Sequence, residues 1–295
     1  VLNDKGLKLP SKCRTPMTSG YCPELDATAD LKADGVKWYQ ELMGMLMWAA
    51  EIGRIDILTE KQMLSQHMAM PRQGHLEQAL HVFGYLKCHK KLRIMFDPSH
   101  PKINSNKFKK YDWEDFYRTA KEDIPTDMPT PLGLPFYIYV SVDSDHGGNK
   151  VNRRSRTGII IFCNKTPIYW YSKQQPGVES STFGAEFYAL RTAVEMVKSL
   201  RYKLRMFGIP VEGPASVFCD NEAVYKNTST PESTLNKKVH QIAYHMCREA
   251  VAAGIIQIAK EGTGTNLADL FTKILSSISR EASVSYTHLR AHETR

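Results

Sequence analysis

The sequence predicts an α/β fold, a mixed sheet with helices packed on it, preceded by a smaller and mostly helical segment. Three observations predict it. Apolar residues recur at helical spacing across 36–97. Three short strand-like runs follow one another between 136 and 172. Beyond residue 182, helical and strand patterns alternate, as they do where helices cover a sheet.

The helical part comes first. WYQELMGMLMWAAEIG places Trp38, Leu42, Met45, Leu46 and Ala49 three and four residues apart, which defines one apolar face. KQMLSQHMAM forms a second helix that stops at Pro71, and HLEQALHVFGYLK a third that runs into a basic Cys-His-Lys-Lys end. These give a helical segment over 1–97. Residues 98–135 are punctuated by Pro98, Pro101, Pro125, Pro129, Pro131 and Pro135 and read as a linker, with one short helix in YDWEDFYRTAKE.

The sheet domain is expected over 136–276. Its strands are 136–143, TGIIIF (157–162), PIYWYS (167–172), ASVFCD (215–220) and IIQIAK (255–260). Its helices run from about Thr182, a plausible cap, to Arg201, over NEAVYKN (221–227), from about Lys237 to Ala253, and over TNLADLFTKI (265–274). Residues 277–295 form a tail. Its end, SVSYTHLRAHETR, has no apolar periodicity and resembles the in-frame translation of a sequencing adapter, so 284–295 are set aside.

Composition narrows the function. The chain carries 39 Lys and Arg against 31 Asp and Glu, a net charge of +8 that favours an anionic partner such as nucleic acid. No unbroken apolar stretch reaches the ~18 residues of a membrane span. The first residues, which lack an initiating methionine and a signal-peptide core, suggest a piece of something longer. The six cysteines include no Cys-x-x-Cys pair, which argues against a zinc site and a disulfide framework.

Four acids occupy unusual positions. Asp143 closes the first strand, in FYIYVSVDSDHGG. Glu186 aligns with Leu190, Ala193 and Val197 on the apolar stripe of its helix. Asp220 ends a strand, and Asp269 sits between Leu267-Ala268 and Leu270-Phe271. Asp220 could simply cap the next helix and Glu186 complement a helix dipole. Together, however, several buried carboxylates repel one another and are costly to desolvate, and a divalent cation relieves both costs. Oxygen ligands without a Cys or His cluster suit Mg²⁺ or Mn²⁺. Alternation along the first strand cannot separate Asp143 from Asp145, since both fall on one side.

Seven blocks then occur in order: DSDHGG from Asp143, RRSRTGI from Arg153, PIYWYSKQQP from Pro167, SSTFGAEFYAL from Ser180, FCDNEA from Phe218, YHMCRE from Tyr244 and LADLFTK from Leu267. This series resembles the ribonuclease H domain of copia-type retrotransposon polyproteins. RTP from Arg14, YQELMGML from Tyr39 and YLK from Tyr85 resemble the end of the reverse transcriptase of the same polyproteins, a thumb and connection remnant.

The resemblance implies a ribonuclease H-like, mixed five-stranded sheet with flanking helices. It implies that Asp143, Glu186, Asp220 and Asp269 are catalytic and hold two Mg²⁺ (or Mn²⁺) ions. The reaction it implies is hydrolysis of the RNA strand of an RNA–DNA hybrid during reverse transcription. It selects Asp143 over Asp145, leaving Asp145 and His146 as auxiliary neighbours. Upstream fingers and palm of the parent polyprotein are implied partners, and the cytoplasm and virus-like particles the implied location.

Candidates to grip nucleic acid are Lys150, Arg153, Arg154 and Arg156 in the loop after Asp143, which could equally be a solvated hairpin tip. Ser172, Lys173, Gln174 and Gln175 after the third strand, and Asn221 after Asp220, could line the same groove. Two departures limit the resemblance. The loop before the last acid, KEGTGTN, lacks the histidine that many ribonucleases H carry there, and His240 and His245 read as structural. The polymerase signature Tyr-x-Asp-Asp is absent, so DNA synthesis by this chain is not expected. The alternative is a nucleic-acid-binding fragment whose cleavage has decayed.

Overall fold

A computed structural model describes residues 9–235 and 240–287. The chain divides into two compact units. Of the described residues, one unit comprises 9–95, 149–153 and 273–287, and the other 96–148, 154–235 and 240–272.

The first unit is built on three helices, α1 (Ala33–Glu51), α2 (Leu58–Ser65) and α3 (Gln73–Cys88). The apolar face expected for α1 is buried at Trp38, Leu42 and Leu46, with Tyr39, Met43 and Ala50 beside it. The second helix ends at Ser65, six residues before Pro71, where the sequence pattern places its stop; 66–70 are turns and bends. The tail expected at 277–295 instead begins with a helix, α8 (Ser277–Thr287), that belongs to this unit. Its Arg280 is buried, donating to the carboxylate of Glu60 and the carbonyl of Asp56. Of the residues set aside at 284–295, Val284 is buried, and 288–295 lie outside the described residues.

The second unit contains one five-stranded sheet. Strands β1 (Ile138–Asp145), β2 (Arg156–Cys163) and β3 (Thr166–Gln174) form an antiparallel meander, while β4 (Ala215–Cys219) and β5 (Ile256–Lys260) run parallel to β1. The order across the sheet is β3-β2-β1-β4-β5. This is the mixed sheet with flanking helices that the sequence implies for a ribonuclease H-like fold. Pro167 lies at the irregularity between β2 and β3, on the outer strand, where a missing N–H is tolerated.

Helix α5 (Thr182–Met206) packs on one face, and its Phe187, Leu190, Ala193, Val194 and Val197 join Ile138, Val140, Val142, Val217 and Ile258 in the core. Its cap is Ser181, whose hydroxyl accepts from the Gly184 amide at 3.2 Å, one residue before the expected Thr182. Helices α6 (Glu222–Ser229) and α7 (Gln241–Ala252) follow β4, and the first residues of the expected 237–253 helix lie outside the described residues. The expected last helix is a short 3₁₀ helix, Leu267–Phe271.

The stretch expected to be a Pro-rich linker, 98–135, belongs to this second unit as a strap, and it carries the expected short helix as α4 (Glu114–Tyr117). Three contacts fix it. Glu122 accepts four hydrogen bonds of 2.6–2.8 Å from Arg201 and Arg205 of α5. Trp113 and Tyr117 stack on the Arg248 guanidinium of α7, at 4.9 and 5.7 Å. Phe108 packs edge-on against Phe218 of β4. Prolines signalled an irregular backbone, and the backbone is irregular, but they carry no information about what it packs on.

Candidate metal centre

The site begins with register. β1 and β4 are parallel neighbours in which Ser141 faces Phe218. Two residues on, at the carboxyl ends of both strands, Asp143 and Asp220 therefore come level, on strands ~4.8 Å apart. The second turn of α5 lays Glu186 over the same strand ends. One carboxylate oxygen from each of Asp143, Glu186 and Asp220 lies within 4.8 Å of the others. Asp143 is 1% exposed and Glu186 5%, while Asp220 is half-buried. The negative potential is felt next door: burial first, and then the charges of Glu186 and Asp220, push the Cys219 thiol up to about 12. An all-oxygen, partly desolvated set of this kind fits a hard divalent cation.

Asp269 is not in that group of three. It rides on the 3₁₀ helix, which is held down at both ends. The Asn266 side chain donates to the Val142 carbonyl at 2.9 Å and caps the helix by accepting from the Ala268 amide at 3.1 Å. The Thr272 hydroxyl donates to Oδ2 of Asp143. Between these clamps the backbone comes down onto Gly158, the β2 residue paired with Asp143. A Cβ on Gly158 would stand 2.7 Å from Thr272, 2.8 Å from the Ala268 carbonyl and 2.9 Å from Phe271, so only glycine admits the turn. Asn266, Thr272 and Gly158 were not singled out in the sequence. A glycine inside a strand pattern was the one available signal, since it commonly marks a close backbone approach.

The auxiliary residues separate by their bonds. Asp145 accepts from the Arg156 amide and closes against Gly148, so it shapes the hairpin turn. His146 is exposed and its Nε2 pairs with the Glu179 carbonyl at 3.0 Å. His240, at the start of α7, lies 3.7 Å from the Glu179 carboxylate and edge-on to Phe183, and His245 meets the Tyr117 hydroxyl at 2.6 Å.

Several expected groove residues are elsewhere. Gln175 is 2% exposed, and its amide donates to Ser144, Thr157 and the Ala185 carbonyl, which ties β1, β2 and α5 together behind the acids. Arg156 and Ser172 are buried and hydrogen-bonded to each other at 3.3 Å. These three side chains are buried and spent on internal bonds. Asn221 caps α6, accepting from the Val224 amide at 3.1 Å. Arg154 and Lys173 are exposed and Gln174 half-buried. Lys150 and Arg153 group with the helical unit, where the Lys150 amide donates to Glu24.

No protein-family model matches the chain. It is 26% identical over 262 residues, 89% of its length, to the retrovirus-related Pol polyprotein from transposon RE1 of Arabidopsis thaliana. Its homologues are transposon Pol polyproteins. The corresponding protein of transposon TNT 1-94 of Nicotiana tabacum is 25% identical over 92% of the chain. The chain spans only 15% and 18% of the length of these two relatives. Among solved structures, a ribonuclease H1 in complex with an RNA/DNA hybrid superposes with a TM-score of 0.37 at 15% identity, covering 46% of this chain and 93% of that one. Among the described residues, no helix of this Pol-related chain is long and apolar enough to cross a membrane.

Proposed function

We propose that this chain carries the ribonuclease H activity of a transposon Pol polyprotein, hydrolysing the RNA strand of an RNA–DNA hybrid. The observation that carries the reading is the convergence of Asp143, Glu186 and Asp220 within 4.8 Å, at the ends of two adjacent parallel strands and the start of a helix. The homology to transposon Pol polyproteins over 89% of the chain supports it, since copying RNA into DNA leaves a hybrid whose RNA must be removed. The upstream fingers and palm of such a polyprotein are the proposed partners.

Each residue has a proposed role. Asp143, Glu186 and Asp220 hold Mg²⁺ or Mn²⁺, two ions in all, with Asp269 approaching from the 3₁₀ turn. Bound cations of this kind supply Lewis-acid activation of water and neutralise the leaving oxygen. Thr272, donating to Oδ2 of Asp143, fixes the rotamer of that carboxylate. Gln175 fixes the strand ends relative to α5, which holds the spacing of Asp143 and Glu186. The 2′-hydroxyl and hybrid shape, rather than base sequence, select the substrate.

The test is cleavage of a labelled RNA–DNA hybrid by the whole chain with Mg²⁺, alongside Glu186→Gln and Asp220→Asn. RNA cleavage that requires the metal and falls to background in both variants is expected. Tight hybrid binding with no cleavage would overturn the nuclease reading and leave a decayed, nucleic-acid-binding fragment.

A further inference from the structure

A second feature lies on the sheet face opposite α5. Ile138, Val140 and Val142 of β1 and Ala215, Val217 and Cys219 of β4 belong to the core under α5. Alternation therefore puts Ser141, Asp143, Phe218 and Asp220 on the other face. The strap crosses that face. Phe108 is buried and meets Phe218 edge-on, with ring centroids 5.6 Å apart. The Lys107 ammonium lies 6.0 Å from the Phe218 ring and 3.2 Å from the Glu261 carboxylate. These contacts fix the run Lys107-Phe108-Lys109-Lys110 against β4 two residues before Asp220, about 7 Å along the strand.

The charge of the run 102–110 is one-sided, the next acid along the chain being Asp112. Residues 102–110 contain four lysines and no acid. Lys107 is matched by Glu261, and Glu222 is matched by Lys260 at 2.8 Å. Lys109 and Lys110 are exposed, and among the described residues neither forms an ion pair. Successive phosphates on one strand of a duplex advance ~3.4 Å along its axis. A duplex with its scissile phosphate at the acids and its axis along β4 would carry neighbouring phosphates past the strap anchor.

We propose that Lys109 and Lys110, held in place by Phe108, form a phosphate-binding surface for the hybrid beside the acid cluster. This rests on the hybrid being the substrate. The whole chain is titrated with a fluorescently labelled hybrid in Ca²⁺, from 50 to 200 mM KCl, as wild type, K109Q/K110Q, F108A and the charge-matched control K198Q/K203Q on α5. The slope of log affinity against log salt is expected to shrink by about one to two in K109Q/K110Q. F108A should shrink it too, with no charge removed, and the control should leave it unchanged. Cleavage in Mg²⁺ at saturating hybrid should persist in K109Q/K110Q, with the loss confined to KM. An unchanged slope in K109Q/K110Q, or an equal fall in the control, overturns the surface even if the hybrid is cleaved. A reduced slope without cleavage in any form sustains the surface and overturns the nuclease reading. No hybrid binding by the wild type overturns both.

Discussion

Glu122 offers the sharpest measurement of what the strap does. Its carboxylate is 15% exposed and accepts two hydrogen bonds on each oxygen, from Arg201 and Arg205. Burial works to raise its pKa, but the hydrogen bonds and charges of the two arginines outweigh it and hold the group at about 2 against an ordinary 4.5. That gap corresponds to about 3 kcal/mol favouring the ionised, folded form. Glu122→Gln keeps the shape, removes the charge and turns an amide donor toward a guanidinium. The variant should lose about 2–3 kcal/mol at pH 7, read from urea denaturation together with amide exchange in β1 and β2. Because the folded pKa is depressed, the carboxylate's contribution is complete above about pH 4.5 and disappears as pH falls through 2. The wild type and the variant should therefore differ fully at pH 7 and progressively less below pH 4.5. A difference under about 0.5 kcal/mol at pH 7, or one that is the same at pH 3, would show that the strap is not held by this ion cluster.

Two further substitutions probe the turn and the tail. Gly158→Ala puts a methyl within 3 Å of the Ala268 carbonyl, Thr272 and Phe271, and should cost about 1–3 kcal/mol in stability while lowering metal-dependent cleavage. Gly177→Ala, with open space around its Cβ, serves as the neutral comparison in both assays. Arg280→Met leaves Glu60, whose pKa burial already pushes up, without its buried cation, and should destabilise the helical unit by about 3–5 kcal/mol. Glu60→Leu with Arg280→Met should recover much of that loss in the same urea melts, since an apolar pair needs no desolvation.

The sequence was most informative where periodicity and burial coincide. The three helices of 33–88, the meander of β1–β3 and the long α5 all announce themselves through apolar spacing. Three of the four acids were placed by their positions at element ends, and geometry brings those three together. What remained hidden depends on partners far away in the chain. Arg201 closes the helix expected from the sequence and Arg205 lies beyond it, yet both are buried because Glu122, 79 and 83 residues away, comes back to them. Arg156, Ser172 and Gln175 read as groove residues because they are polar and follow strands, and no local pattern shows that they bond one another or the α5 backbone instead. Arg280 sat in a stretch taken for tail. Its burial depends on Glu60 and Asp56, more than 200 residues earlier.

The fourth acid shows what kind of site this is. Asp143, Asp220 and Glu186 are set by elements that the core locks in place: two paired strands and a helix packed across them. Asp269 is set differently, by a five-residue turn held through Asn266 to the β1 backbone and through Thr272 to Asp143 itself. The Thr272 bond couples the two halves, because the carboxylate it orients is also one of the three that converge. Anything that lifts the turn off Gly158 therefore changes Asp143 as well as Asp269. In the proposed site, the three convergent acids can keep their places while the position of Asp269 depends on one glycine, one threonine and one asparagine. For this arrangement, the presence of four acids in a sequence is weaker support for activity than the presence of the residues that hold the turn down.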